Sequence, residues 1–102
     1  MLACLDCAAS CVACAEACRD QPSPDLARCL RLSLDCAALC PTFAEILWRG
    51  PPPDLAALRA TLEAVAATSA ACARECEGRG PHFEDCAEAC RRCEVACRAL
   101  LG

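Results

Sequence analysis

The sequence predicts an all-α fold, an antiparallel up-down-up-down four-helix bundle with a cysteine-lined core. Three observations carry that expectation. Clustered proline and glycine interrupt the chain at three places, Gln21–Asp25, Gly50–Asp54 and Gly78–Pro81. The four stretches between these breaks are rich in Ala, Leu, Glu and Arg, residues that form helices readily. The cysteines, fourteen in all, recur mostly at gaps of three or four, the spacing of one stripe along a helix. Short loops between four helices favour antiparallel neighbours. A chain of 102 residues suffices for a single core, so one domain over residues 1–102 is expected.

The first helix is predicted over 2–20, where Cys4, Cys7, Cys11, Cys14 and Cys18 succeed one another at gaps of 3, 4, 3 and 4. Leu5, Ala8, Val12 and Ala15 form a second apolar set beside that stripe. The second helix is predicted over 24–49, with Ser23 as its N-cap and Pro24 at the first helical position. It carries Cys29, Cys36 and Cys40, and Pro41 is expected to kink or split it. The third, over 53–78, contributes Cys72 and Cys76; the fourth, over 81–101, contributes Cys86, Cys90, Cys93 and Cys97.

Antiparallel stacking lets these positions be ordered by height. Taking the loops at 21–23 and 79–81 as the top, every cysteine falls in the upper fifteen residues of its helix, a column of about 21 Å at 1.5 Å rise per residue. Below it the stripes carry Leu47, Leu58, Leu62, Leu100 and Leu101, with Ile46 and Trp48 nearby. The expected object is a tube, thiols above and an apolar plug below. Ser33 and Ser69 interrupt the stripe at one level, near Cys11 and Cys90. Either small residues let the helices approach there, or the hydroxyls donate hydrogen bonds to thiolates.

Composition excludes several function classes. All ten basic residues are Arg, scattered among acids in a chain of net charge −4, and no basic patch with interleaved aromatics exists. Nucleic acid is therefore not an expected partner. No uncharged run approaches the roughly 20 residues of a membrane span, and the start lacks the basic and apolar regions of a signal peptide. A cytoplasmic protein is expected, in a reducing compartment that favours thiols and metal over disulfides. No Ser/His/Asp or paired-carboxylate constellation suggests an enzyme, and a single histidine is too few for a di-iron bundle.

Buried cysteine acting only as a small hydrophobe fails on number, since a core of this size would reach native density with Leu, Ile and Val. Intrahelical disulfides fit poorly, because neighbours at i,i+3 or i,i+4 have Cβ atoms about 5–6 Å apart and a disulfide wants about 3.5–4.5 Å. Bridges between helices would make a disulfide-stapled helical structural protein, which stands as one alternative. Thiolates select Cu(I), Zn(II) or iron–sulfur clusters. Zinc prefers closed tetrahedral sets from turns, whereas the Cys-x2-Cys pairs Cys4/Cys7, Cys11/Cys14 and Cys90/Cys93 lie inside helices. A metallothionein-like Zn/Cd sink is the other alternative. A monovalent ion of low coordination number fits best, for fourteen thiolates carry −14 and about fourteen Cu(I) would neutralise that buried charge. Multiple Cu(I) ions are the expected cargo.

With these stripes the chain resembles the bacterial copper storage proteins over its whole length. The most specific pieces are His82-x3-Cys86-x3-Cys90-x2-Cys93-x3-Cys97 and the ladder of the first helix. The resemblance implies cytosolic storage or sequestration of many Cu(I) ions by core thiolates, in a homotetramer of bundles. It implies metal ligands at all fourteen cysteines, with fewer thiols than larger cytosolic relatives. Those relatives can place Met or several His at the bundle mouth; here Met1 belongs to the closed end. His82, four residues before Cys86 and facing Cys18 at the rim, is then the candidate ligand for loading. Copper donors and acceptors are not identifiable from the sequence, nor are the helices that pack in an oligomer. The second apolar set of the first helix, with Leu30, Leu32, Leu34, Ala37 and Leu39 of the second, offers candidate surfaces for it.

Overall fold

A computed structural model describes residues 2–21 and 23–102. The described residues form four long helices, α1 (Leu2–Asp20), α2 (Ala27–Trp48), α3 (Leu55–Cys76) and α4 (Pro81–Leu101). Each packs on its sequence neighbours, and α1 and α4 close the ring, as an antiparallel up-down-up-down bundle requires. The molecule measures 43 × 21 × 20 Å, a rod one bundle long. The placement expected for Met1 at the closed end lies outside the described residues.

Local chemistry sets the ends. Ser23 accepts a hydrogen bond from the Asp25 amide at 3.3 Å and opens a 3-10 turn, Pro24–Leu26, that leads into α2. Asp54 caps α3 by accepting from the Ala57 amide at 3.0 Å, so that helix starts at Leu55 rather than at 53. It stops at Cys76 rather than 78, because Gly78 turns the chain with φ +78°, a conformation glycine adopts freely. Pro41 does not split α2, which runs unbroken through it. The ring sits on the exposed side, where its missing N–H is least costly.

Alanine makes the bundle thin. Ala8, Ala15, Ala66, Ala70, Ala73, Ala87 and Ala89 are buried between helices. Ala8 and Ala15 thus belong to the core and not to an outer surface, whereas Leu5, Val12 and Leu34 remain exposed. Leu30, Leu32, Ala37 and Leu39 are half-buried against the core. Helix α3 has the length and mean hydropathy (1.2) to cross a membrane by composition alone. Its buried residues, Leu62, Val65, Ser69, Cys72 and Cys76 among them, instead follow one stripe facing the bundle.

The floor of the core differs in detail from the expected plug. Phe43, Leu62 and Val65 are buried there, with Leu47, Leu58 and Leu101 packed against them. Leu100 and Trp48 point to solvent, Trp48 being 78% exposed. Both lie in the last turn of their helices.

Candidate metal centre

All fourteen cysteines are free and buried, none more than 3% exposed. The helical stripes bring them into one sulfur column in which eleven of the sulfurs stand 3.4–4.0 Å from a neighbour across or along the helices, and Cys18, Cys36 and Cys97 join within 4.8 Å. The thiols replace the branched apolar side chains that usually occupy such a stripe.

Near the floor, Cys4 of α1 meets Cys93 of α4 at 3.6 Å, and Cys40 of α2 reaches the same sulfur at 3.9 Å. Cys4, Cys93 and Cys97 form one group whose sulfurs all lie within 4.8 Å of one another, and Cys7, Cys40 and Cys93 form a second. In the middle, Cys7, Cys11, Cys36 and Cys90 converge within the same limit, as do Cys11, Cys72, Cys86 and Cys90. Cys7 and Cys90 are 3.5 Å apart, and Cys11 is 3.7 Å from both Cys86 and Cys90. At the top, Cys14, Cys29 and Cys76 make a triangle with sides of 3.6, 3.6 and 3.4 Å, and Cys18 joins Cys14 and Cys29.

Two features of this arrangement decide its chemistry. The groups share members: Cys7, Cys11, Cys90 and Cys93 each belong to two, so a metal at one position has bridging sulfurs to the next. Such overlap suits small soft cations held by bridging thiolates better than separate closed tetrahedra. Among the described residues no amine, guanidinium or carboxylate is buried in the column, so most thiolates formed there need bound cations to neutralise them.

The thiols are protonically linked. A hydrogen bond from Cys11, foremost among several neighbours, holds Cys7 and Cys72 below the ordinary thiol range. Cys11 is held above it, foremost by its bonds to Cys36 and Cys7. At the two ends, burial pushes Cys18 up to about 11, and the hydrogen bond to Cys4, with burial, pushes Cys97 up to about 11. At Cys18 and Cys97 loading must therefore displace protons from neutral thiols at neutral pH.

The serines divide. The Ser33 hydroxyl lies 3.7 Å from the Cys72 sulfur, in reach of a weak hydrogen bond to a thiolate. The Ser69 hydroxyl is fully buried with no hydrogen-bond partner among the described residues. His82 is exposed in the first turn of α4, and none of the sulfur groups above includes it. The neighbouring Phe83 turns inward instead. Sequence reasoning passed over Phe83 and Phe43, although each lies three residues from a stripe cysteine, Cys86 and Cys40, at helical spacing.

The copper storage protein family, Csp, matches the chain over residues 1–102. The chain belongs to that family. Among solved structures, the copper storage protein Ccsp from Streptomyces lividans loaded with 10 copper equivalents is 46% identical, with a TM-score of 0.90, covering 97% of this chain and 78% of that one. A structure of copper loading to a cytosolic copper storage protein from Streptomyces lividans, with five coppers, gives the same identity and TM-score and covers 97% and 86%. The Cu(I)-bound copper storage protein BsCsp3 is 27% identical at a TM-score of 0.85, covering 98% and 92%. No curated protein sequence matches the chain. The bundle and its cysteine-lined core are thus those of a copper storage protein, an assignment the disulfide-stapled and zinc-sink alternatives do not share.

Proposed function

We propose that this member of the copper storage family takes up and holds multiple Cu(I) ions as thiolate complexes along its core, acting as a container rather than a catalyst. The observation that carries the reading is the convergence of fourteen buried free thiols in overlapping groups of three and four within 4.8 Å. The proposed ligands are Cys4, Cys7, Cys11, Cys14, Cys18, Cys29, Cys36, Cys40, Cys72, Cys76, Cys86, Cys90, Cys93 and Cys97, all in one copper-binding domain over residues 1–102. His82 is proposed as a rim ligand; its exposure fits a transient contact outside the column. The cytosolic Streptomyces lividans relative supports a cytoplasmic store. Exposed Leu5, Val12 and Leu34 support further association, proposed as a homotetramer and measurable by light scattering.

The deciding experiment is anaerobic titration of the reduced, metal-free protein with Cu(I) against a competing chelator. Saturation approaching one ion per thiol is expected. Saturation at one or two ions would sink the storage reading. His82→Ala is expected to keep the capacity to within one ion.

A further inference from the structure

The sulfur column is sealed along its sides by alanine-rich helix contacts, but its upper end meets the surface at one built feature. A cleft of about 350 Å³ opens at the corner where α1, the 3-10 turn and α2 meet. Cys18, Arg19, Ser23, Leu26, Ala27 and Leu30 line it. Cys18 is the one cysteine in that wall and is 3% exposed. Its sulfur makes none of the close contacts that tie Cys14, Cys29 and Cys76 together, yet it lies within 4.8 Å of Cys14 and Cys29. Cys18 therefore has one side toward the cleft and the other toward the column.

Arg19 is the one charged residue among those that line the cleft. Arg19 lines the wall and forms no ion pair among the described residues. Behind that wall the Arg79 guanidinium, paired with Glu75 at 3.6 Å, is near enough for its charge to favour the Cys18 thiolate. A basic wall above a soft nucleophile suits an anionic carrier of a soft cation, whereas a free copper cation would be repelled. Leu26 and Leu30 provide an apolar wall for the carrier's carbon chain, and the volume admits one thiol-bearing arm of a small carrier.

We propose that Cu(I) loads through this corner cleft from a small anionic thiolate complex, with Cys18 as the first protein thiol to bind the ion. The proposal rests on the storage reading. The step is a ligand exchange without change of oxidation state. A copper–sulfur bond forms to the Cys18 Sγ, one to the carrier's sulfur breaks, and the Cys18 thiol proton leaves with the released carrier thiolate. A second exchange onto Cys14 or Cys29 frees the carrier entirely. From there Cys76, 3.4 Å from Cys29, and Cys72, 4.0 Å from Cys76, carry the ion inward.

The test follows the initial rate at which the reduced full chain takes copper from a Cu(I)–glutathione complex, read by rapid desalting and metal analysis under nitrogen. Ala27→Trp, which fills the cleft from an exposed position, is expected to slow uptake at least tenfold at unchanged final content. Cys18→Ser should slow it comparably and remove at most one site. Arg19→Glu should slow uptake from anionic Cu(I)–glutathione severalfold while leaving uptake from cationic Cu(I)–acetonitrile as fast or faster. Circular dichroism establishes that each variant is folded, and Arg19→Glu, on an exposed helical surface, keeps the test decisive if a cleft-filling variant is not. Native rates in folded Ala27→Trp and Arg19→Glu, or a loss confined to His82→Ala, would overturn the cleft as the route. Equal slowing of both copper complexes by Arg19→Glu would overturn its charge selectivity. A native capacity of one or two ions would instead remove the storage reading itself, so the two failures are separable.

Discussion

Phe43 is the largest fully buried side chain in the molecule and sits directly beneath the sulfur column, three residues beyond Cys40. It closes the lower end where thiols give way to Leu62 and Val65. Phe43→Ala should cost the metal-free protein about 3–5 kcal/mol, as buried aromatic truncations do. Urea denaturation of the reduced protein measures it, and a change below 1 kcal/mol would mean that the floor is not a packed unit. Thiol ionisation gives a second residue-scale prediction. Cys18 and Cys97 are pushed up to about 11, above the ordinary thiol value of about 8.5 in an unfolded chain. Groups raised in this way contribute stability that is complete below the unfolded value and is lost as pH rises through the folded one. The metal-free protein should therefore lose thermal stability between pH about 8.5 and 11. A melting temperature that climbs across that window would contradict the assignment. At this scale the cysteine stripe was fully legible, because every member obeys helical spacing. The inward turn of Phe83 beside an exposed His82 was not, since the phase of a helix's first turn depends on what the loop leaves open beneath it.

At the scale of elements, α3 shows how much local chemistry decides. Nine of its 22 residues are alanine, with few large side chains to anchor it, and its first turn depends on the Asp54 cap. Asp54→Ala should destabilise the protein by about 1 kcal/mol and Asp54→Asn by much less, because the amide oxygen still accepts from the Ala57 N–H. Equal losses in the two variants would show that the charge, not the cap, matters there. Helix boundaries were legible to within three residues for the same reason, the largest difference being α2, which starts at Ala27 rather than 24 because Pro24–Leu26 form a 3-10 turn: Ser23, Asp54, Gly78 and Pro81 act over a single turn. Two things were not. The continuity of α2 through Pro41 depends on which side of the helix is solvated, and that is fixed only when α1 and α3 pack against it. The cleft beside Cys18 requires the 3-10 turn to lift the start of α2, a geometry that no spacing of residues announces.

At the scale of the whole molecule, the cargo and the core are the same object. Few large apolar side chains are buried, and the column between them consists of thiols with alanine around it. Metal that binds only the folded chain adds stability by mass action, about 4 kcal/mol for each site held a thousandfold above its dissociation constant. For a domain near this size each kcal/mol raises the melting temperature by about 4–8 °C. Copper loading should thus raise it by tens of degrees, and calorimetry of metal-free and loaded protein checks this; a shift of only a few degrees would place the metal outside the core. The height ordering that makes the column continuous was readable from the sequence, because antiparallel helices of similar length align their stripes. The sharing of Cys7, Cys11, Cys90 and Cys93 between neighbouring groups was not, for it depends on the rotation of each helix about its own axis.

That identity of cargo and core has a consequence for the protein's life in the cell. Proteases cut chains in proportion to how often they open, and a bundle whose interior is furnished by its load opens far more often when drained. Full molecules should persist while drained ones are degraded, so that the amount of protein follows the copper supply without any dedicated sensor.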